Sequence, residues 1–308
     1  MSASPAAATR VTMLNGMAGP DIATAIRRMA GWGIRDLDLK DQIFAKAIDD
    51  LDDDEAHRLA DLAAASGMAV HCLSTRTFFD DITRGEAHFR EQHLARIPRI
   101  IAIARILRPR FVRLLAARSS AARPAGDAVA ALDGSHPWLM PMYGDAVDAL
   151  AAAGFAVTVE NEVHGCVMAT PDEVLSFFAR LGRRDACSYT WDVQNLWHEG
   201  GAMPSLATYR QLRHLIGYVH LKGGRHDPAR GGTLRWSTSL ADASWPVADV
   251  VRAAASDGVS PVICLNPSHG ERIPGYDYDS VAERDARFAM AVLAAPAATS
   301  ASTTGGRP

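Results

Sequence analysis

Four cysteines in 308 residues, Cys72, Cys166, Cys187 and Cys264, with no CxxC spacing among them, exclude a thiolate zinc knuckle and a disulfide framework. They are expected to be small core residues. No apolar run approaches the length of a membrane-spanning helix, and the opening MSASPAAATR lacks the apolar segment of a leader. The expectation is a soluble, cytoplasmic chain with no membrane partner. Neither a GxGxxG turn nor a P-loop occurs, so the common nucleotide cradles are missing. No sign of charge dominates either: 32 Lys and Arg stand against 35 Asp and Glu, a net charge of −3, which does not suit a nucleic-acid partner. The arginines from Arg99 to Arg118 have a single aromatic, Phe111, among them, too few to stack bases, and are expected to form a solvated face. A small polar ligand fits this balance better.

What is present is a repeated alternation. Short apolar runs predict strands at 11–16, 36–39, 69–74, 111–115, 156–161, 188–193, 218–223 and 261–266. Between them lie amphipathic, Ala-rich stretches such as AIRRMAGWGI, EAHRLADLAAASG, DAVDALAAAG and WPVADVVRAAASDG. Gly33, Gly67, Gly154 and Gly258 each close a helix just before a strand, as a left-handed C′ residue would. Pro98 should kink or split the helical run 88–107. Eight βα units argue for a closed (β/α)8 barrel as a single α/β domain over residues 10–292. Residues 1–9 and 293–308, rich in Ala, Ser, Thr, Gly and Pro, are expected to be disordered.

Chemistry in such a barrel belongs at the carboxyl ends of the strands. The second half of the chain places polar residues there on four successive strands: Glu160 and Glu162, then Asp192 and Asn195, then His220 and Lys222, then Asn266 and His269. One polar residue at a strand end is an ordinary loop opening; a recurrence on consecutive strands is not. Period two puts His220 and Lys222 on one face, and the solvated mouth is a less costly place for them than the helix layer. Two carboxylates and an imidazole suit Mn²⁺, Mg²⁺, Co²⁺ or Zn²⁺. Trp191 and Trp197 flank the Asp192 segment as a possible apolar wall for a ring, with core packing expected of at least one.

The ordered segments ENEVHG, WDVQN and VHLKG resemble those of the sugar phosphate isomerase/epimerase superfamily of xylose-isomerase-like barrels. That resemblance implies a divalent cation, Mn²⁺ first, held by Glu160, Asp192 and His220, with Glu160 as base and a carbohydrate as the small-molecule partner. Asn195 and Lys222 match substrate-touching positions, and Asp38 falls where the family often has a pocket-shaping Glu. His164 and Arg225 are further pocket candidates; His71 and Arg118 read equally well as a strand-end histidine and a solvated arginine. A homo-oligomer is also implied.

One departure stands out. The family places a Glu near the end of strand eight as a fourth ligand and second acid/base, where this chain has Asn266. Asn can ligate through its carbonyl oxygen but cannot act as a base near neutral pH. Weight therefore moves from epimerisation toward aldose–ketose isomerisation or a β-eliminating lyase, unless His269 or Glu271 takes the second role. Two other readings stay open: a non-catalytic, sugar-binding relative, and an AP-endonuclease-like nuclease, for which the ligand set is sparse.

Overall fold

The computed structural model describes residues 8–295. Eight parallel strands build the barrel: β1 (Arg10–Met13), β2 (Asp36–Leu39), β3 (Ala69–Ser74), β4 (Phe111–Leu115), β5 (Ala156–Glu160), β6 (Cys187–Asp192), β7 (Ile216–Leu221) and β10 (Val262–Leu265). Two short strands, β8 (Arg225–Asp227) and β9 (Thr233–Trp236), form an antiparallel hairpin after β7. Sheet order runs β1-β10-β7-β6-β5-β4-β3-β2. The remaining seam between β1 and β2 is closed by a bridge from Leu14 to Asp38, by Thr12 Oγ1 donating to Asp36 O (2.6 Å) and by the Arg10–Asp36 pair (2.7 Å). The predicted single (β/α)8 barrel is thus observed.

The strands lie where the apolar runs predict them, because each is buried on both faces and so reads as a continuous hydrophobic segment. Gly33, Gly67, Gly154 and Gly258 all adopt left-handed φ, from 62° to 92°, turning each helix into its strand. Pro98 does split its helical run. A helix over Glu86–Gln92 ends at His93, and a second over Ile97–Leu107 begins with Pro98 in its first turn, where the missing N–H removes no bond. The hairpin is not anticipated from sequence; its RHD and TLRW segments are too short and polar for a periodicity signal.

The final helix, Val281–Ala294, passes the expected boundary at 292 by two residues. Of the other residues expected to be disordered, 8, 9 and 295 are described, and 1–7 and 296–308 lie outside the described ones. All four cysteines are buried and free. Among the described residues no helix is long and apolar enough to cross a membrane.

Inside the barrel the lower layer is apolar, with Cys72, Phe111, Tyr218 and Cys264 packed together beside Leu14. His71 joins this layer, its ring 4.9 Å from that of Tyr218. Above it the interior turns polar. Asp38, Arg113, Thr158, Thr190, Glu160, Asp192 and His220 are all fully buried.

Arg113 corrects the expectation of a solvated arginine face. It is the middle residue of β4 and points into the barrel, which leaves no position for its guanidinium except beside an internal anion.

Candidate metal centre

The register of the parallel strands brings the second-half residues together. β6 and β7 pair Asp192 with His220 directly, and Glu160 lies one strand away opposite Thr190. One ligand atom each from Glu160, Asp192 and His220 falls within a mutual 4.8 Å. Asn266 closes the group from the end of β10: its Nδ2 donates to Asp192 Oδ2 (3.1 Å) and lies 3.2 Å from His220 Nδ1.

Each member has a distinct environment. Glu160 Oε2 accepts from Arg113 Nη1 at 2.5 Å, while Oε1 has no hydrogen-bond partner and sits 3.2 Å from His220 Nδ1. Burial would raise the Glu160 carboxyl, but Arg113, His220 and Lys222 more than reverse this and hold it well below the usual carboxylate range. Asp192 is drawn the other way, upward, by burial and the neighbouring Glu160 charge, against the pull of Lys222. Its Oδ1 accepts backbone N–H groups from Gln194 (3.0 Å) and Asn195 (3.2 Å), the turn that opens the helix Asn195–Gly200. His220 lies between Glu160 and Asp38. Burial alone would lower its imidazole, and the two carboxylates outweigh that, pushing it up to about 9.

Asp38 sits beneath the cluster, not at the rim. It accepts from Ser74 Oγ and Tyr218 OH and faces His220 Nε2 at 3.4 Å. That arrangement turns the Nε2 side toward Asp38, without hydrogen-bond geometry, and the Nδ1 side toward Glu160 and Asn266.

Lys222 reaches the same group from above. Its Nζ lies 2.9 Å from Asp192 Oδ2, 2.8 Å from Asn195 Oδ1 and 2.8 Å from His269 Nε2. Burial, then the Lys222 charge, push the His269 imidazole down to about 3, so it is neutral and able to accept. A cavity of about 400 Å³ opens over these groups, lined by Lys40, Asp41, Glu162, Lys222, Asn266 and His269. A second, more apolar cavity of about 430 Å³ lies between Ile82, Ala122, Leu132 and Val167, and none of the cluster residues lines it.

The structure therefore brings together Glu160, Asp192, His220, Asn266, Asn195, Lys222 and His269. The other candidates sit elsewhere. His164 is exposed at φ 68°, its N–H held by Glu199 (2.7 Å), and reaches the site only through a row of rings, His198 at 5.9 Å and then His269 at 5.7 Å. Arg225 is exposed on β8. Glu271 pairs with Arg235 (3.5 Å) on the hairpin side. Trp191 and Trp197 are both buried, so both pack in the core and neither forms a wall of the cavity. Arg113 and Gln194, whose side chain bonds Gly223 O, Ser268 Oγ and the His269 N–H, belong to the site and escaped the sequence reading, while Glu162, named there only as a strand-end carboxylate, lines the cavity.

Does a divalent cation fit? Three buried polar atoms, Glu160 Oε1, His220 Nε2 and Asn266 Oδ1, have no hydrogen-bond partner among the described residues. Unsatisfied acceptors are costly in a buried site. A hard cation satisfies the two oxygens at once, alongside one carboxylate oxygen of Asp192 and one imidazole nitrogen. The donor set fits.

A parallel barrel with carboxylates and an imidazole on adjacent strand ends defines a class of metal-binding α/β barrels. The family model for xylose isomerase-like TIM barrels matches residues 28–243, and the chain belongs to that family. No curated protein sequence matches it. Among solved structures, a xylose isomerase-like TIM barrel protein from Mycobacterium smegmatis in complex with magnesium is 17% identical, covering 93% of this chain and 96% of that one, with TM-score 0.68. D-psicose 3-epimerase from Clostridium cellulolyticum H10, solved with D-tagatose, is 14% identical over 89% and 92%, with TM-score 0.65. A probable 3-DHS dehydratase from Bacillus anthracis is 11% identical over 91% and 98%, with TM-score 0.66. At these identities the likeness is one of fold.

Proposed function

We propose that the protein is a divalent-metal-dependent isomerase or epimerase of a sugar or keto-sugar, working by proton abstraction from carbon next to a carbonyl. The observation that carries this is the convergence of Glu160, Asp192, His220 and Asn266, with unpartnered buried acceptors, next to a cavity of small-molecule size that Asn266, Lys222 and His269 line. A cation held there, Mn²⁺ first with Mg²⁺, Co²⁺ and Zn²⁺ as alternatives, would polarise the substrate carbonyl. The epimerase among the fold's neighbours supports the substrate class, and the neighbour in complex with magnesium supports a divalent ion.

The chain's own residues divide the remaining work. Glu160 is the candidate base, and Arg113 on Oε2 fixes its carboxylate while weakening it as a base. Asn195 and Lys222 can hold substrate oxygens, and His269, neutral and within the cavity, can exchange a proton with the substrate. A second reading is a dehydratase, favoured by one observation. The Lys222 ammonium sits within the cavity lining, where it can give a proton to a departing hydroxyl, and a β-elimination needs a base on one side only. The test is incubation of the Mn²⁺-loaded protein with ketopentoses and ketohexoses in D₂O. Deuterium at the carbon next to the carbonyl is expected, lost in Glu160→Gln, with retained C3 connectivity for isomerisation or loss of water for elimination. Exchange that persists in Glu160→Gln removes Glu160 as base, and no Mn²⁺ binding at all favours a non-catalytic relative.

A further inference from the structure

The three carboxylate and imidazole ligands are not equally available. Glu160 offers Oε1 without displacing anything, because Arg113 occupies only Oε2. Asp192 offers nothing free: Oδ1 accepts two backbone N–H groups, and Oδ2 holds both the Lys222 ammonium (2.9 Å) and Asn266 Nδ2 (3.1 Å). Any cation reaching Asp192 must first remove another cation from it.

We infer that Lys222 is an intrinsic competitor for the metal position, so that divalent-ion binding at this centre is an exchange in which the Lys222 ammonium leaves Asp192 Oδ2. This rests on the metal reading of the same site. The exchange has a receiver already in place. Asn195 Oδ1 and His269 Nε2 each lie 2.8 Å from Nζ, so the ammonium can give up Asp192 and keep two acceptors. His269 is fixed for this by its N–H to Gln194 Oε1, and Gln194 in turn by Gly223 O and Ser268. The two cations repel strongly at such range in a buried setting, so they do not share Asp192 Oδ2. Two consequences follow. The centre stays charge-compensated and ordered without metal, through Arg113 on Glu160 and Lys222 on Asp192. And it binds metal more weakly than its donor set alone would, by the strength of the Lys222 contact. Lys222 is in this sense a positioning residue that sets metal affinity.

The experiment is calorimetric titration of the full chain with Mn²⁺, alongside thermal melting with and without Mn²⁺. Lys222→Met is expected to bind Mn²⁺ at least about ten-fold more tightly than the unaltered protein, since truncating one partner frees a buried charge. It should also melt lower without metal and recover most of that loss at saturating Mn²⁺. If Lys222→Met does not fold, Lys222→Gln, which keeps a donor but no charge, gives the same comparison. Equal or weaker Mn²⁺ affinity in the folded variant overturns the competition while leaving the metal centre standing. Absence of Mn²⁺ binding in both proteins, with no change on Asp192→Asn, overturns the metal reading and the competition with it.

Discussion

Removing the Arg113 guanidinium, as in Arg113→Met, tests whether the interior of the barrel depends on that one cation. Arg113 and Glu160 are both fully buried, 2.5 Å apart, and Arg113 Nη2 also donates to Thr75 O (3.1 Å). Replacing the buried pair as a whole by apolar groups can be neutral, but deleting one partner leaves an uncompensated charge that costs about 3–5 kcal/mol. Thr75 O loses a donor as well, adding about 1 kcal/mol. His220 and Lys222 stand near enough to recover part of this, so about 3 kcal/mol is the expected loss for Arg113→Met, read from urea unfolding. Two controls sharpen the result. Arg113→Met with Glu160→Gln should lose less than the two single changes summed, because the double variant buries no lone charge. Saturating Mn²⁺ should restore more stability to Arg113→Met than to the unaltered protein, because a cation beside Glu160 Oε1 replaces the missing one. An Arg113→Met protein within about 0.5 kcal/mol of the original, additive with Glu160→Gln, would refute the claim that this pair is what tolerates Glu160 inside the barrel.

Two further perturbations lie away from the ligands. Asp285 in the last helix accepts the Leu240 N–H (2.8 Å), and burial pushes its carboxyl up to about 7 from an ordinary 3.8. A carboxyl raised by folding stabilises through its protonated form, fully below the unfolded value, and that contribution is lost as pH rises through 7. Asp285→Asn, which keeps the acceptor, should therefore show a flatter stability profile between pH 4 and 7 and exceed the unaltered protein at pH 8 by up to about 4 kcal/mol; parallel profiles would sink the assignment. At Gly223, which leads out of β7 beside Lys222, an added Cβ would lie 2.0 Å from Thr238 O and 2.6 Å from Ser239 O, both backbone. Gly223→Ala must push the two segments apart, at an expected cost of about 1–3 kcal/mol, with altered Mn²⁺ affinity; an unchanged melting temperature would show that the close approach is not needed.

The barrel was legible because each of its strands is doubly buried and most of its helices are punctuated by glycine or proline, so local pattern and global fold agree. The candidate ligands were legible for a related reason: Glu160, Asp192 and His220 interrupt apolar runs at the strand ends, where a solvated mouth is the less costly place for them. What escaped was the counter-charge. FVRLL carries its own signal, since an arginine at the centre of a strand buried on both faces must meet an anion inside, yet reading the arginines as one surface group concealed it. Asp38 in DLDL was expected to shape the pocket, but spacing does not say which polar neighbours, here Tyr218 and Ser74, will hold the side chain beneath the cluster. His164 and Arg225 failed to join the site for another reason: both lie beyond the strands, on backbone whose path no periodicity encodes.

These two classes of residue meet in the electrostatics of the centre. Asn266 removes one negative charge from the expected ligand shell, and Arg113 and Lys222 neutralise two more, so the cluster is balanced by the protein itself. Each change alone would weaken a divalent cation's hold. On the proposed exchange, together they make a site whose geometry is preserved without metal and whose affinity is set by how readily Lys222 yields Asp192. A weakly held cation with fewer anionic ligands is a stronger Lewis acid toward a substrate oxygen. On the proposed function, the same substitution that removes a second carboxylate base would thus favour chemistry in which carbonyl polarisation, with one proton acceptor, carries the reaction.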